Sequence, residues 1–178
     1  MKTKLLALIL LLIGFNSHSQ EKKLEKGVCK IEHKCYTTYQ YDDFDDIWTY
    51  SVGFYETMLA KNGLTYIITK YVENKTDKKL ILLSFIGNME GCRSKNSYVH
   101  IQFKNGEKLK IDGYDTEIKC GTTVLTVDIT EQISLLEKEP IDKIRISIDG
   151  NDDFVVTEKG QTKFFNNLKC IDALDLRK

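Results

Sequence analysis

Apolar residues in this chain recur mostly at every second position, in short runs cut by Gly, Asn and Asp. A period of two is the signature of a strand with one face buried. Ile141 to Asp149 shows it best: Ile144, Ile146 and Ile148 fall on one side, Lys143, Arg145 and Ser147 on the other. Leu125, Val127 and Ile129 alternate with Thr126 and Asp128 in the same way. Leu80 to Ile86 is nearly all apolar and reads as a central strand covered on both faces. Periodicity alone leaves a buried helix open there.

Turn chemistry sets one register. A two-residue Asn105-Gly106 loop would place Phe103 opposite Lys108 and Ile101 opposite Lys110. A three-residue loop, Lys104-Asn105-Gly106, places Ile101 opposite Leu109 and Val99 opposite Ile111, which keeps the apolar face together. The longer loop is therefore expected, with Gly106 left-handed in a bulge. Asn62-Gly63 predicts another hairpin, between residues 49–60 and 64–72. Asp149-Gly150-Asn151-Asp152-Asp153 lacks the glycine and glutamate of a calcium loop at its sixth and twelfth positions, so a hairpin turn between Ile148 and Phe154 is expected.

Two helices are predicted. One is short, Glu131 to Lys138, with Thr130 as N-cap and Pro140 beyond its end. The other runs from about Gln161 to Leu174, where Phe164, Leu168 and Ile171 recur at helical spacing. Asp172, Asp175 and the lack of a basic face speak for packing on a sheet and against a membrane surface. The fold class expected is mainly β: an antiparallel β-sandwich with a short helix and a C-terminal amphipathic helix. The immunoglobulin-like arrangement is one form of it, although Trp48 lies in a polar, acidic stretch between Cys35 and Cys92 rather than in an apolar strand. A single curved sheet wrapped around the C-terminal helix is the alternative.

The first twenty residues follow a different pattern. Lys2 and Lys4 precede an apolar run from Leu5 to Ile13, then Gly14-Phe15 and a small, polar stretch to Gln20. This is the layout of a secretory signal peptide, with cleavage expected near Ser19 or Gln20. The run spans roughly 11 residues, against the ~20 a bilayer-crossing helix needs. The domains expected are thus a signal peptide, 1–20, and a single β-rich domain, 21–178. Export, to the periplasm or outside the cell, follows as the expectation, with no membrane span after cleavage.

Formal charge is +0 over 178 residues, and loss of Lys2 and Lys4 takes it two units lower. A near-neutral chain without a basic stripe argues against nucleic acid. Five cysteines, Cys29, Cys35, Cys92, Cys120 and Cys170, all lie beyond the cleavage site. In an oxidising compartment they read first as structural disulfides, and an odd number leaves at least one thiol over. Cys92 with Cys120 is the pair expected, because the hairpin between them returns the chain. Cys29 and Cys35 could close a small loop, or one could reach Cys170. Their spacings do not match zinc sites, and no cofactor or metal is implied. His33 and Cys35 are spaced for one strand face, which leaves a thiol nucleophile as a minor reading.

Asp42-Asp43-Phe44-Asp45-Asp46 is the sharpest local feature, set among Tyr36, Tyr39, Tyr41, Trp48, Tyr50, Phe54 and Tyr55. Aromatic faces beside carboxylates suit sugars, and clustered carboxylates suit Ca²⁺. The plainer reading is two aromatic-rich strands with a solvated acidic turn between them. Tyr41, Asp42, Asp45 and Trp48 are the candidate ligand-binding residues, for an unknown protein or glycan partner. A glycosidase pair needs carboxylates set across a cleft, which neighbours in one turn seldom provide. The chain has no Gly-x-Ser-x-Gly, His-Glu-x-x-His, phosphate-binding loop or dinucleotide fingerprint.

From Ser97 to Ile148 the order is a strand ending Phe103-Lys104-Asn105-Gly106-Glu107-Lys108-Leu109, a second Cys, a Thr-rich strand, a Leu-bearing short helix and Pro140-Ile141-Asp142-Lys143-Ile144-Arg145. It resembles small exported proteins of Bacteroidetes-type bacteria. The resemblance implies export and a β-rich domain, and carries no activity, substrate or functional residue. The function expected is an exported, non-enzymatic binding or interaction module. The alternatives are a small exported hydrolase or thiol-dependent enzyme, and a structural accessory protein of the cell envelope.

Overall fold

The computed structural model describes residues 25–30, 34–53, 58–87, 92–93, 96–114, 119–120, 124–175 and 177, with backbone alone for 25–30, 34–36, 92–93 and 119. The signal peptide expected over 1–20 lies outside the described residues, as do His33, Phe54 and Tyr55.

Strands β1 (Glu25–Lys30), β2 (Lys34–Asp42), β3 (Ile47–Val52), β4 (Thr65–Glu73) and β5 (Lys79–Ile86) follow one another as antiparallel neighbours. Strand β10 (Val124–Asp128) completes this six-stranded sheet beside β5. Strands β7 (Tyr98–Phe103), β8 (Lys108–Asp112), β11 (Ile141–Ser147) and β12 (Asn151–Val155) form a second antiparallel sheet in the order β12-β11-β7-β8. Strands β6 (Cys92–Arg93) and β9 (Lys119–Cys120) make a separate two-residue ladder. The helices are α1 (Ile133–Leu136) and α2 (Glu158–Ala173).

The alternation seen in the sequence sets the two faces. Val52, Ile68, Leu83 and Val127 stand in one cross-strand row, and Tyr66, Phe85 and Leu125 in another, all fully buried or nearly so. Each such apolar side chain contributes roughly 1.5–3 kcal/mol on burial. The other face is polar and self-paired: Ser51 meets Thr69 at 3.2 Å and Ser84 meets Thr126 at 2.8 Å. A one-residue slip would exchange these faces, so the register is strongly held. Strand β5 is a strand and not a helix, with Ile81, Leu83 and Phe85 inward; on its other face Leu82 is also buried, while Ser84 is only half-buried.

Two elements cover the inner face side by side. The four-stranded sheet lies against β10, and α2 lies over β2, β3 and β4. One hydrophobic core joins Ile101, Ile144 and Ile146 of the second sheet with Phe164, Leu168 and Ile171 of the helix. The architecture is therefore a mainly β, sandwich-like fold in which α2 forms part of the second layer. Its strand order is not the immunoglobulin one. Strands β1 to β5 are neighbours in the order of the chain, a meander, whereas the immunoglobulin fold alternates between sheets by Greek-key connections.

The β7–β8 hairpin has the three-residue loop: Ile101 faces Leu109, Val99 faces Ile111, and Gly106 has φ +88°. Near Asn62-Gly63 the chain turns back, with the Leu59 amide donating to the Leu64 carbonyl at 2.8 Å. Thr130 does not cap α1. Its hydroxyl accepts from the Ile81 amide at 2.9 Å and donates to Asp128 at 2.6 Å, fastening the loop to β5, and the helix shrinks to four residues with Gln132 at its start.

Helix α2 begins a turn earlier than expected. Thr157 is its N-cap, accepting from the Gly160 amide at 3.0 Å. Gly160 lies in the first turn of α2 and its role is contact: a Cβ there would sit 2.2 Å from the Leu59 carbonyl oxygen. The Thr157 amide also donates to that carbonyl, at 3.1 Å.

Candidate functional site

The acidic segment is the turn of the β2–β3 hairpin. Asp42 faces Ile47 at the last rung, and residues 43–46 form the loop. An Asp side chain can replace backbone acceptors in a tight turn, and Asp42 does so: its Oδ1 accepts from the amides of Phe44 at 3.1 Å and Asp45 at 3.4 Å. Asp46 has φ +57° and ties the turn to the β4–β5 loop. Its carboxylate accepts from the Tyr41 hydroxyl at 2.9 Å and the Asn74 amide at 3.0 Å, and its carbonyl accepts from the Asn74 backbone amide. The Tyr41 hydrogen bond, then that of Asn74, holds the Asp46 carboxyl below its usual range, while the same Asp46 bond pushes the Tyr41 phenol up.

This geometry separates the sequence candidates. Asp42 and Asp45 lie together in one turn rather than across a cleft, which removes the spacing a glycosidase pair needs. Among the described residues no group of three or more His, Cys, Asp or Glu is placed to hold a metal ion. Trp48 packs against the core, flanked by Tyr41 at 5.0 Å and by Tyr50 at 6.0 Å with planes 10° apart. The residue that composition alone did not single out is Phe44. It is 93% exposed at the tip of the turn, against 39% for Tyr41. Its signal in the sequence is the apolar residue at the centre of a run of aspartates.

On the same inner face lies a second polar cluster, with no motif to announce it. Lys70 of β4 is fully buried. Its ammonium donates to the carbonyls of Ile171 at 3.1 Å, Asp172 at 2.8 Å and Leu174 at 2.8 Å. The last carbonyls of a helix lack intrahelical donors, and that end carries partial negative charge. The last turn of α2 has no basic residue of its own, so Lys70 acts as its cap from another element. Burial, then Lys79, pulls the Lys70 ammonium below the usual lysine range, while Asp172 and Asp175 push it back. The tail beyond α2 is clasped as well: Arg177 donates to both carboxylate oxygens of Asp175, at 2.8 and 2.6 Å, and to Asp77 of the β4–β5 loop. Further along α2, Asn167 donates to the buried Tyr66 hydroxyl at 2.8 Å, and Phe164 meets the Tyr66 ring edge-on at 5.1 Å.

The cysteines occupy two places. Cys92 and Cys120 face each other in the β6–β9 ladder. Cys29 and Cys35 face each other across β1 and β2. Cys170 is buried on α2, its Sγ 4.0 Å from Thr37 Oγ1 of β2. Cys120 and Cys170 each take part in a disulfide.

The outer face of the four-stranded sheet is polar. Asp153, Arg145, His100 and Lys110 form one cross-strand row, and Lys143, Gln102 and Lys108 form part of the next. Arg145 makes a two-pronged pair with Asp153, at 2.6 and 2.7 Å. Comparison with known proteins finds no family model, curated protein or solved structure that matches this chain.

Proposed function

We propose that this protein is an exported, non-enzymatic interaction module, periplasmic or secreted, that docks a protein partner through the tip of the β2–β3 hairpin. The observation that carries this reading is Phe44: a phenylalanine 93% exposed, on a turn that its own side chains hold rigid. A large aromatic side chain on a preorganised support is the usual anchor of an interface, because little ordering remains to be done on binding. The exposed Asp43 and Asp45 flank it, so the complementary partner presents an apolar pocket rimmed by Lys or Arg. Protein is preferred to glycan because Trp48 is already flanked by tyrosines and the open ring is Phe44. The signal-peptide layout of residues 1–20 supports export.

Photo-crosslinking in the exporting cell tests this. A photoreactive residue replacing Phe44 is expected to yield a discrete adduct that one replacing Asn151, exposed on the β11–β12 hairpin, does not. Absence of an adduct at 44, or the same adducts from both positions, would contradict the proposal.

A further inference from the structure

We infer that the partner of the β2–β3 hairpin tip is a second copy of this chain, with Phe44 of one copy seated in a lysine-rimmed cleft at the opposite end of the next. This rests on the reading of the tip as a contact surface and names what it contacts.

The cleft lies where residues 58–61 meet the first turns of α2. It is open, about 380 Å³ in volume, and lined by Met58, Ala60, Lys61, Thr157, Lys159 and Lys163. Met58 is 51% exposed, which puts a flexible thioether in water where an aromatic ring could cover it. Lys61 precedes the Asn62-Gly63 turn, and Lys159 and Lys163, four residues apart on α2, share one helix face. All three lysines are exposed, and none makes an ion pair among the described residues. The positive end of α2 at Thr157 adds to their field. The frame is firm: Met58 bridges Thr65, Ala60 bridges Val156, and the Leu59 carbonyl between them accepts from the Thr157 amide at 3.1 Å.

The tip is the converse of the cleft in each respect. Its exposed ring stands between exposed Asp43 and Asp45, so carboxylates meet ammonium groups as Phe44 meets Met58. The outer face of the four-stranded sheet matches less well, because Arg145 there already holds Asp153 and no exposed apolar side chain lines the hollow beside it. Position rules out contact within one chain. Ile47, at the tip end, faces Glu73 of β4, whereas Met58, at the cleft, faces Thr65 at the start of that strand. The length of β4 between them is about 27 Å at the rise of a strand. Contact therefore runs head to tail between copies. Each added copy leaves a tip and a cleft open, so the assembly grows unless a ring closes. One side chain and its rim bury less than the roughly 1,200 Å² of a stable interface, so the contact is weak, and salt weakens it further.

A photoreactive residue in place of Phe44 tests this in the exporting cell. The adduct is expected at twice the mass of the chain, with the crosslink mapped to residues 58–61 or 157–163. Lys61→Glu with Lys163→Glu is expected to lower its yield by about tenfold or more, because like charges then face Asp43 and Asp45. An adduct at 44 with a different protein would overturn self-docking and leave the tip as a contact surface; no adduct at 44 would overturn both. Sedimentation velocity of the purified protein gives a second reading. The wild type is expected to sediment faster as its concentration rises. Phe44→Ala keeps the cleft, and the Lys61→Glu, Lys163→Glu variant keeps the tip; each alone is expected to stay monomeric, and their equimolar mixture to stop at the dimer. A wild type whose sedimentation is independent of concentration, or a mixture that stays monomeric, would overturn the proposal.

Discussion

The β2–β3 hairpin and the Lys70 clasp both gather charged groups on β-strands, yet they differ in every energetic respect. The hairpin holds its carboxylates in water and satisfies them through Tyr41 and its own backbone amides, with Asn74 of the neighbouring β4–β5 loop. Lys70 lies out of water, and its three acceptors are about a hundred residues away in sequence. Exposed charge pairs contribute little, because water and salt screen them. A buried cation with all its donors used is costly to disturb, since its loss leaves buried acceptors without partners. Stability is therefore concentrated at the clasp. The hairpin tip is left with side chains the fold does not need, which is what a contact surface requires.

The largest break in this contrast is expected at Lys70. Lys70→Met leaves the carbonyls of Ile171, Asp172 and Leu174 without their donor, and should lower stability by about 3 kcal/mol, read as a drop in the urea midpoint at unchanged slope. Gly160→Ala comes next. Alanine favours helix, but its Cβ would meet the Leu59 carbonyl at 2.2 Å, so a loss of about 2 kcal/mol is expected in place of a gain. Thr157→Ala removes the N-cap of α2 and should cost about 1 kcal/mol in the same assay.

Acid sharpens the comparison further. Arg177 holds the Asp175 carboxyl well below its usual range. An unfolded aspartate titrates near about 3.9. Below that value the unfolded chain binds the proton more readily, so the contribution of Asp175 is complete above it and is lost as pH falls. Asp175→Asn should flatten the fall in thermal midpoint between about pH 4 and pH 2 while changing stability at pH 7 by less than about 1 kcal/mol. The smallest effect on stability belongs to Phe44→Ala, within about 0.5 kcal/mol for so exposed a side chain, although it should remove the proposed contact.

Much of the fold was legible from local pattern. Period-two alternation marked Ile144, Ile146 and Ile148, and Leu125 and Val127, as inward positions, and all are buried. Asn105-Gly106 with its flanking apolar residues gave the loop length, because only one register kept Ile101 beside Leu109. What remained hidden depends on partners distant in the chain. Lys70 falls in phase with the inward Tyr66, Ile68 and Val72 of β4, but nothing near it says that a helix end will supply its acceptors. Nothing around Gly160 in the sequence announces the Leu59 backbone that lies against it. Thr130 has the chemistry of an N-cap, yet the Ile81 amide competes for its hydroxyl. Of the candidate site, the segment was visible and the anchor was not. Tyr41, Asp42 and Trp48 carry the richer chemistry, but the turn and the core occupy them, and Phe44 is left outward.

Urea unfolding of Lys70→Met and Phe44→Ala beside the wild type tests the division most directly. Stability lowered by about 3 kcal/mol for the first, and changed by no more than about 0.5 kcal/mol for the second, is the predicted result. A stable Lys70→Met, or a Phe44→Ala that unfolds as readily, would contradict it.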